Sequence, residues 1–201
     1  MRLMSDAVTP VPAGEASGRS RVFIALRPPP AVRAALFRYQ RSCDWPKDAA
    51  LVEPGKFHMT LHFLGDVPRP RLPEILSALQ VPCAPFRLAL AGPVLWPGGV
   101  AALGAAATPE MLALREALAR KLQAMGLCPD GREFRPHLTL ARRARGVRWP
   151  EAPPGLWWQA GRYGLYESAH PASLPYKMLR SYPMRGSGPQ EPPIALLENA
   201  P

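Results

Sequence analysis

A short motif that occurs twice constrains the fold of this chain more than any other feature. The segment HMTL at residues 58–61 recurs as HLTL at residues 137–140. In a β-strand, alternate side chains point to the same face, so each copy would present its histidine and threonine on one face and its two apolar residues on the other. The repeat therefore predicts two strands that each have one chemical face and one core face.

The repeated histidines suggest a paired acid and base. His58 and His137 are two of the four histidines in the chain. With an ordinary pKa of about 6.5, one imidazole can give a proton while another takes one near neutral pH. Two such groups facing each other could drive phosphoryl transfer without a metal.

A helical interpretation of the first motif leads to a different site. On a helix, His58 and His62 would form the i, i+4 pair that can bind zinc. No glutamate follows His58, however, and the second copy has Ala141 where another histidine would be required. On a strand, four residues span roughly 13 Å, which is too far for one shared ion. We therefore favour the strand, on which His62 lies on the same face as His58 and Thr60 and would border any groove that the two motifs form.

Length and composition indicate one domain with two tails. The chain has 201 residues, of which 47% are hydrophobic, enough for a core of moderate size. Residues 1–19 and 186–201 lack a periodic apolar face and are expected to be disordered; residues 20–185 would form a two-lobed domain. The start has no continuous apolar stretch of the signal-peptide type. The three cysteines show no C-x-x-C spacing, so a cytoplasmic location is expected.

The charge of the chain points to an anionic partner. Its formal net charge is +10 and its pI is about 10.3, and basic surfaces attract phosphate chains. Such a composition can also reflect arginines that only solvate the surface. Together with the paired histidines, the charge favours a phosphate-bearing substrate.

One uncharged segment, residues 88–109, is long enough to span a bilayer. Two turn signals, Gly92-Pro93 and WPGG at residues 96–99, divide it into short apolar pieces. We therefore expect buried strands joined by turns and no membrane attachment.

The remaining periodicities predict an α+β fold. Strands are predicted at 21–26, 57–64, 86–90, 100–105, around His137, 157–166 and 176–184. Helices are predicted after the prolines at 28–30, at 72–79, and from a Thr108 N-cap to a Gly126 stop. The duplicated motif suggests two related α+β lobes, each giving one strand to a central groove.

With these motifs the chain resembles a known family, the two-histidine (2H) phosphoesterases. It resembles in particular the RNA 2′,3′-cyclic phosphodiesterases once described as 2′-5′ RNA ligases. The resemblance rests on RVFIAL at 21–26, HMTLHFLG at 58–65 and RPHLTLAR at 135–142, and it covers residues 20 to 184. It implies two pseudo-symmetric lobes, each with an antiparallel sheet and helices, and a basic groove between them. It also implies that no metal or organic cofactor is needed.

The resemblance further implies a role for each motif residue. His58 would be the proton donor to the departing 3′ oxygen, and His137 the proton acceptor that deprotonates water, leaving a 2′-phosphate. Thr60 and Thr139 would hold the non-bridging oxygens, which suits in-line displacement at phosphorus. The two motifs are nearly identical, so the residues alone do not distinguish donor from acceptor.

Further substrate contacts are expected near the motifs. Arg135 and Arg142 are candidates for the phosphate because guanidinium binds it bidentately. Strict alternation from His137 would turn Arg142 away from the groove, unless a bulge or the strand end reverses it. Phe23 and Tyr176 could stack on a base, as aromatic side chains do in single-strand recognition, or pack in the core.

The expected function is hydrolysis of 2′,3′-cyclic phosphates on RNA ends or nucleotides by a monomeric enzyme. The reverse chemistry, 2′-5′ ligation, would use the same acid and base. A non-catalytic module that binds RNA or nucleotides is a third alternative, and the basic charge alone would permit it. That alternative is weaker, since pure binding needs no acid and base poised together.

Overall fold

The computed structural model describes residues 18–128, 133–168 and 175–185. The strands are β1 Arg19–Leu26, β2 Ala50–Leu51, β3 Met59–Pro68, β4 Phe86–Trp96, β5 Val100–Ala105, β6 His137–Arg142, β7 Trp157–Ala160, β8 Arg162–Glu167 and β9 Lys177–Pro183. The helices are α1 Pro30–Ser42, α2 Leu72–Ala78 and α3 Pro109–Ala124. The predicted tails lie outside the described residues, except that Arg19 already pairs with Pro68 in the first strand pair.

The described strands form two antiparallel sheets, which confirms the predicted α+β class. One sheet has the order β3-β1-β8-β9 and the other β2-β6-β5-β4-β7. The two motif strands, β3 and β6, belong to different sheets and contact each other across the interface. Buried side chains of both sheets belong to one hydrophobic cluster, so the two lobes share a core.

The segment 157–166 differs from the prediction of a single strand. Trp158 of β7 pairs with Leu88 in the second sheet, whereas Leu165 of β8 pairs with Ile24 in the first. Gly161 lies between the two strands, where the chain passes from one sheet to the other. The prediction was wrong because both pieces are apolar, and an apolar pattern does not show a change of strand partner.

The uncharged segment 88–109 lies mainly in the β4–β5 hairpin, with the predicted turn at residues 97–99. The turn predicted at Gly92-Pro93 was wrong, because β4 continues through both residues and only its pairing with β5 is irregular there. In the described part of the chain, no helix combines the length and apolarity needed to cross a membrane. The predicted strand end at Gly65 was too early, because β3 continues to Pro68. Gly65 has a φ of +71° and lies beside an irregularity in the pairing with β1, so the strand accommodates this glycine without ending.

The third helix begins and ends at the predicted signals. The Thr108 side chain accepts a hydrogen bond from the Met111 amide at 3.3 Å, and Pro109 occupies the first helical position. Gly126, with a φ of +69°, follows the helix end. The helix buries the side chains of Met111, Leu114, Leu118 and Leu122, whereas Met125 at its end is only partly buried.

Both motif strands carry a β-bulge at the fourth residue of the motif. The register with the neighbouring strand skips Leu61 in β3 and Leu140 in β6. A bulge inserts one unpaired residue and thereby reverses the alternation of side chains beyond it. The residues directly after each motif consequently lie on the opposite face from the one that strict alternation predicts, and in β3 a second irregularity follows at Leu64.

A buried glutamine holds the bulge in β6. Gln40 of α1 is 1% exposed. Its side-chain amide donates hydrogen bonds to the carbonyls of Val52 at 2.9 Å and Leu140 at 2.8 Å. Helix α1 is thereby fixed to the bulged residue of the second motif.

Replacing Gln40 by leucine should lower the free energy of unfolding by about 1–3 kcal/mol, because the carbonyl of Val52 loses its buried donor. Leu140 would keep the bond that its carbonyl accepts from the Val52 amide. Chemical denaturation followed by circular dichroism measures the difference. Gln123→Leu, at an exposed position of α3, is the matched control, and equal stability of the two variants would contradict this role for Gln40.

Candidate active site

The two motif histidines are held in the same way. The Nδ1 atom of His58 lies 2.6 Å from the carbonyl oxygen of Lys56, and that of His137 lies 2.7 Å from the carbonyl oxygen of Arg135. A carbonyl only accepts, so each Nδ1 carries the hydrogen and each neutral ring has its lone pair on Nε2. Both imidazoles therefore present the same nitrogen for proton transfer.

Aromatic rings pack against both imidazoles. Phe23 and Tyr176 contact His58, with ring centroids 4.9 and 5.2 Å away, and Trp96 meets His137 edge-on at 4.2 Å. Phe23 is only 4% exposed, so it is placed to hold the imidazole rather than to stack on a base. Tyr176 is partly exposed, and its contact with a base stays a prediction.

The pKa values of both imidazoles lie below the ordinary range. Burial lowers the pKa of His58 to about 4, with further contributions from the charges of Arg27, His137 and Arg142. Burial also lowers the pKa of His137, and Arg142 again adds to the effect. The two imidazoles and Arg142 therefore share one electrostatic environment. Both rings are neutral at pH 7 in the free protein.

A cavity of about 580 Å³ brings residues of both motif strands together. His137, Thr60, Thr139 and Arg142 line it. The bulge at Leu140 provides the reversal that Arg142 needs to reach the groove side. The arrangement can hold an anionic group between hydroxyls, an imidazole and a guanidinium.

Arg135 lines the same cavity, but its charge is already partnered. Its guanidinium lies 2.7 Å from a carboxylate oxygen of Glu133, while its carbonyl orients His137. An exposed ion pair of this kind is weak. Contact between Arg135 and substrate remains a prediction.

His62 makes a structural contact that the sequence did not indicate. It is 2% exposed, and its Nε2 lies 2.7 Å from the carbonyl oxygen of Arg115 in α3. This bond links β3 to α3 directly after the first motif. In the parts of the chain that the structure describes, no group of three His, Cys, Asp or Glu side chains is placed to hold a metal ion.

Two arginines near the site were missed by the sequence analysis. Arg27 follows β1, donates to the Gly55 carbonyl and lies 5.7 Å from the ring centre of Tyr166. Arg115 lines the cavity and lies 4.6 Å from the ring centre of Phe134. The one sequence signal for Arg27 was its position four residues after Phe23, which places both side chains on the same face of a strand. The sequence contained no signal for Arg115, since a polar residue on a helix usually faces solvent.

Comparison with known proteins identifies the family. Residues 26–101 match the family described as LigT like Phosphoesterase. The RNA 2′,3′-cyclic phosphodiesterase of Thermus thermophilus is 33% identical over 187 residues, which cover 85% of this chain and 93% of that relative. This chain belongs to the LigT-like phosphoesterases. The resemblance drawn from the two motifs is thus confirmed.

Solved structures support the same fold for this LigT-like phosphoesterase. The crystal structure of TT0787 of Thermus thermophilus superposes with a TM-score of 0.72 at 32% identity, covering 84% of this chain and 100% of that one. Escherichia coli LigT in its apo form gives a TM-score of 0.72 at 24% identity, with 84% and 99% coverage. At that lower identity the likeness concerns the fold alone.

Proposed function

We propose that this LigT-like phosphoesterase hydrolyses 2′,3′-cyclic phosphates of RNA ends or nucleotides to 2′-phosphates, without a metal. One observation carries the proposal: His58 and His137 have the same Nδ1 orientation, and each ring environment includes Arg142. Such a pair can supply an acid and a base to one phosphorus atom. The name of the Thermus relative, RNA 2′,3′-cyclic phosphodiesterase, supports the substrate class.

The proposed step balances with two proton transfers. Nε2 of His137 takes a proton from water, and the water oxygen bonds to phosphorus. The bond from phosphorus to the 3′ oxygen breaks, and His58 gives its proton to that oxygen. The hydroxyls of Thr60 and Thr139 and the guanidinium of Arg142 stabilise the charge on the non-bridging oxygens. Proton exchange with solvent then restores both imidazoles.

This assignment of roles requires that substrate binding protonate His58. With a pKa of about 4, its imidazole is neutral at pH 7 in the free protein. A cyclic phosphate carries a negative charge, and an anion within about 4–6 Å raises the pKa of an imidazole. The bound phosphate would counter the charges of Arg27 and Arg142, so that His58 acquires its proton in the complex.

Product analysis tests the reaction. The protein, in excess chelator, is incubated with an oligonucleotide that ends in a 2′,3′-cyclic phosphate, and ³¹P NMR with mass spectrometry identifies the new end. We expect a 2′-phosphate. A 3′-phosphate, or turnover only when a metal is added, would contradict the mechanism, whereas salt-dependent binding without any product would favour the non-catalytic alternative.

The same experiment with an added 5′-hydroxyl oligonucleotide examines the reverse chemistry. A 2′-5′ linked product would show that the acid and base also serve ligation. The cytoplasmic location and the monomeric state remain predictions from the sequence, and analytical ultracentrifugation measures the latter.

A further inference from the structure

Arg115 has the features of an anion-binding side chain that the proposed reaction leaves unused. Its guanidinium lies 4.6 Å from the ring centre of Phe134 and lines the cavity beside the motif strands. Its Nε is buried and has no hydrogen-bond partner. Among the described residues, no carboxylate forms an ion pair with it. Desolvated guanidinium groups that stack on an aromatic ring are well suited to bind phosphate.

The backbone of Arg115 is fixed to the catalytic strand. The Nε2–H of His62, which follows the first motif in β3, donates to the Arg115 carbonyl at 2.7 Å. His62 is 2% exposed, so this bond lies in the interior, where it is protected from competition with water. Helix α3 is therefore held against β3 at the residue whose guanidinium enters the cavity.

Arg115 and Arg142 reach the cavity from different elements, α3 and β6. Arg142 contributes to the lowered pKa values of both His58 and His137, whereas Arg115 contributes to that of His62. The position of Arg142 is thus the one that suits the reacting phosphate. The guanidinium of Arg115 is therefore available to bind a second anionic group in the same cavity.

The volume and lining of the cavity are sufficient for a nucleoside in addition to a phosphate. About 580 Å³ lies within the range of pockets that enclose ligands much larger than a phosphate. Three aromatic side chains contribute to the wall, those of Phe63, Trp96 and Phe134. In RNA, the phosphate next to a 2′,3′-cyclic end is the 5′-phosphate of the same terminal nucleoside.

We propose that Arg115 is a specificity-determining residue that binds the 5′-phosphate of the terminal nucleotide. This inference rests on the proposed function. It names the substrate class as RNA ends and 5′-phosphorylated cyclic nucleotides, in preference to cyclic nucleotides with a free 5′-hydroxyl.

Two small substrates test this selectivity: adenosine 2′,3′-cyclic phosphate with and without a 5′-phosphate. For the wild-type protein we expect kcat/KM to be about tenfold higher with the 5′-phosphate, the effect of one charge-assisted hydrogen bond. Arg115→Gln should abolish the preference, because it lowers kcat/KM for the 5′-phosphate substrate by about tenfold more than for the 5′-hydroxyl substrate. Arg120→Gln is the control, because Arg120 lies exposed on the same helix and pairs with Glu116 at 2.6 Å. An equal loss on both substrates, or a retained preference, would overturn the inference.

A binding measurement separates this inference from the proposed reaction. Isothermal titration with adenosine 2′-phosphate and adenosine 2′,5′-bisphosphate needs no turnover, and Arg115→Gln should weaken the bisphosphate alone, by about tenfold. If Arg115→Gln weakens the bisphosphate alone but the protein shows no hydrolytic activity, the proposed reaction is rejected and the Arg115 site is kept. If the protein hydrolyses the substrate but binds both ligands equally well, the reaction is kept and the Arg115 site is rejected. Thermal unfolding shows whether Arg115→Gln folds. If it does not fold, Arg115→Lys replaces it in both experiments. Lysine keeps the positive charge, so this variant should retain part of the preference for the 5′-phosphate.

Discussion

Replacing His137 by alanine should reduce turnover of a 2′,3′-cyclic phosphate by about 10²–10⁴-fold, and His58→Ala should do the same, since each removes one partner of the acid and base pair. The reason is structural as well as chemical. Each imidazole is held through Nδ1 by a backbone carbonyl, at 2.6 Å for His58 and 2.7 Å for His137, so its Nε2 is the nitrogen left for proton transfer. Initial rates with a fluorogenic or chromatographic assay measure the loss.

His62 provides the matched control for these substitutions. It is also a buried histidine bound to a backbone carbonyl through one ring nitrogen, but it has no proton-transfer role in the proposed step. His62→Gln, which keeps a side-chain donor, should therefore retain most of the activity of the wild-type protein. Substantial activity in either His58→Ala or His137→Ala would refute the paired mechanism, as would a loss in His62→Gln as large as theirs.

Replacing Arg142 by glutamine should lower kcat/KM by about 10- to 100-fold, because the developing charge on the phosphate loses a charge-assisted donor. It should also raise the pKa values of both His58 and His137, to which the Arg142 charge contributes. A nearby cation disfavours the protonated imidazole, so its removal allows protonation at higher pH. The acidic limb of the kcat/KM profile, which reports the free base, should consequently move to higher pH.

Arg27→Gln distinguishes this effect from a general loss of positive charge. Arg27 contributes to the low pKa of His58 but not to that of His137. We therefore expect this variant to raise the pKa of one imidazole and Arg142→Gln to raise both. Proton NMR titration of the imidazole C–H resonances measures each pKa separately. Identical shifts from the two arginine variants would contradict the arrangement of charges described above.

Much of the local structure could be predicted from the sequence. The period of two in each motif indicated a strand with His and Thr on one face, and Leu138 and Leu140 are indeed fully buried while Thr139 is partly exposed. Helix α3 was predictable at both ends, because capping by Thr108 and termination near Gly126 depend on neighbouring residues only. The turn at residues 97–99 follows from the same kind of local rule.

Other features of the site depend on residues far apart in the chain. The cavity receives Arg115 from a helix and Arg142 from a bulged strand, and neither placement has a local signature. Likewise, β7 and β8 form one apolar pattern in the sequence, yet each pairs in a different sheet. Strand pairing selects partners through the whole fold, so a single segment does not contain that information.

The sequence by itself determined which chemical groups the site contains. Side-chain type and strand periodicity are local properties, and both occur in each of the two motifs. Only the tertiary structure decided which charged groups act on that chemistry. The bulge that precedes Arg142 is held at Leu140 by Gln40, 100 residues earlier in the chain, and the lowered pKa of His58 comes from burial and from charges on distant segments of the chain. Burial and electrostatic fields arise only when distant segments pack together, and for that reason they cannot be predicted from a single motif.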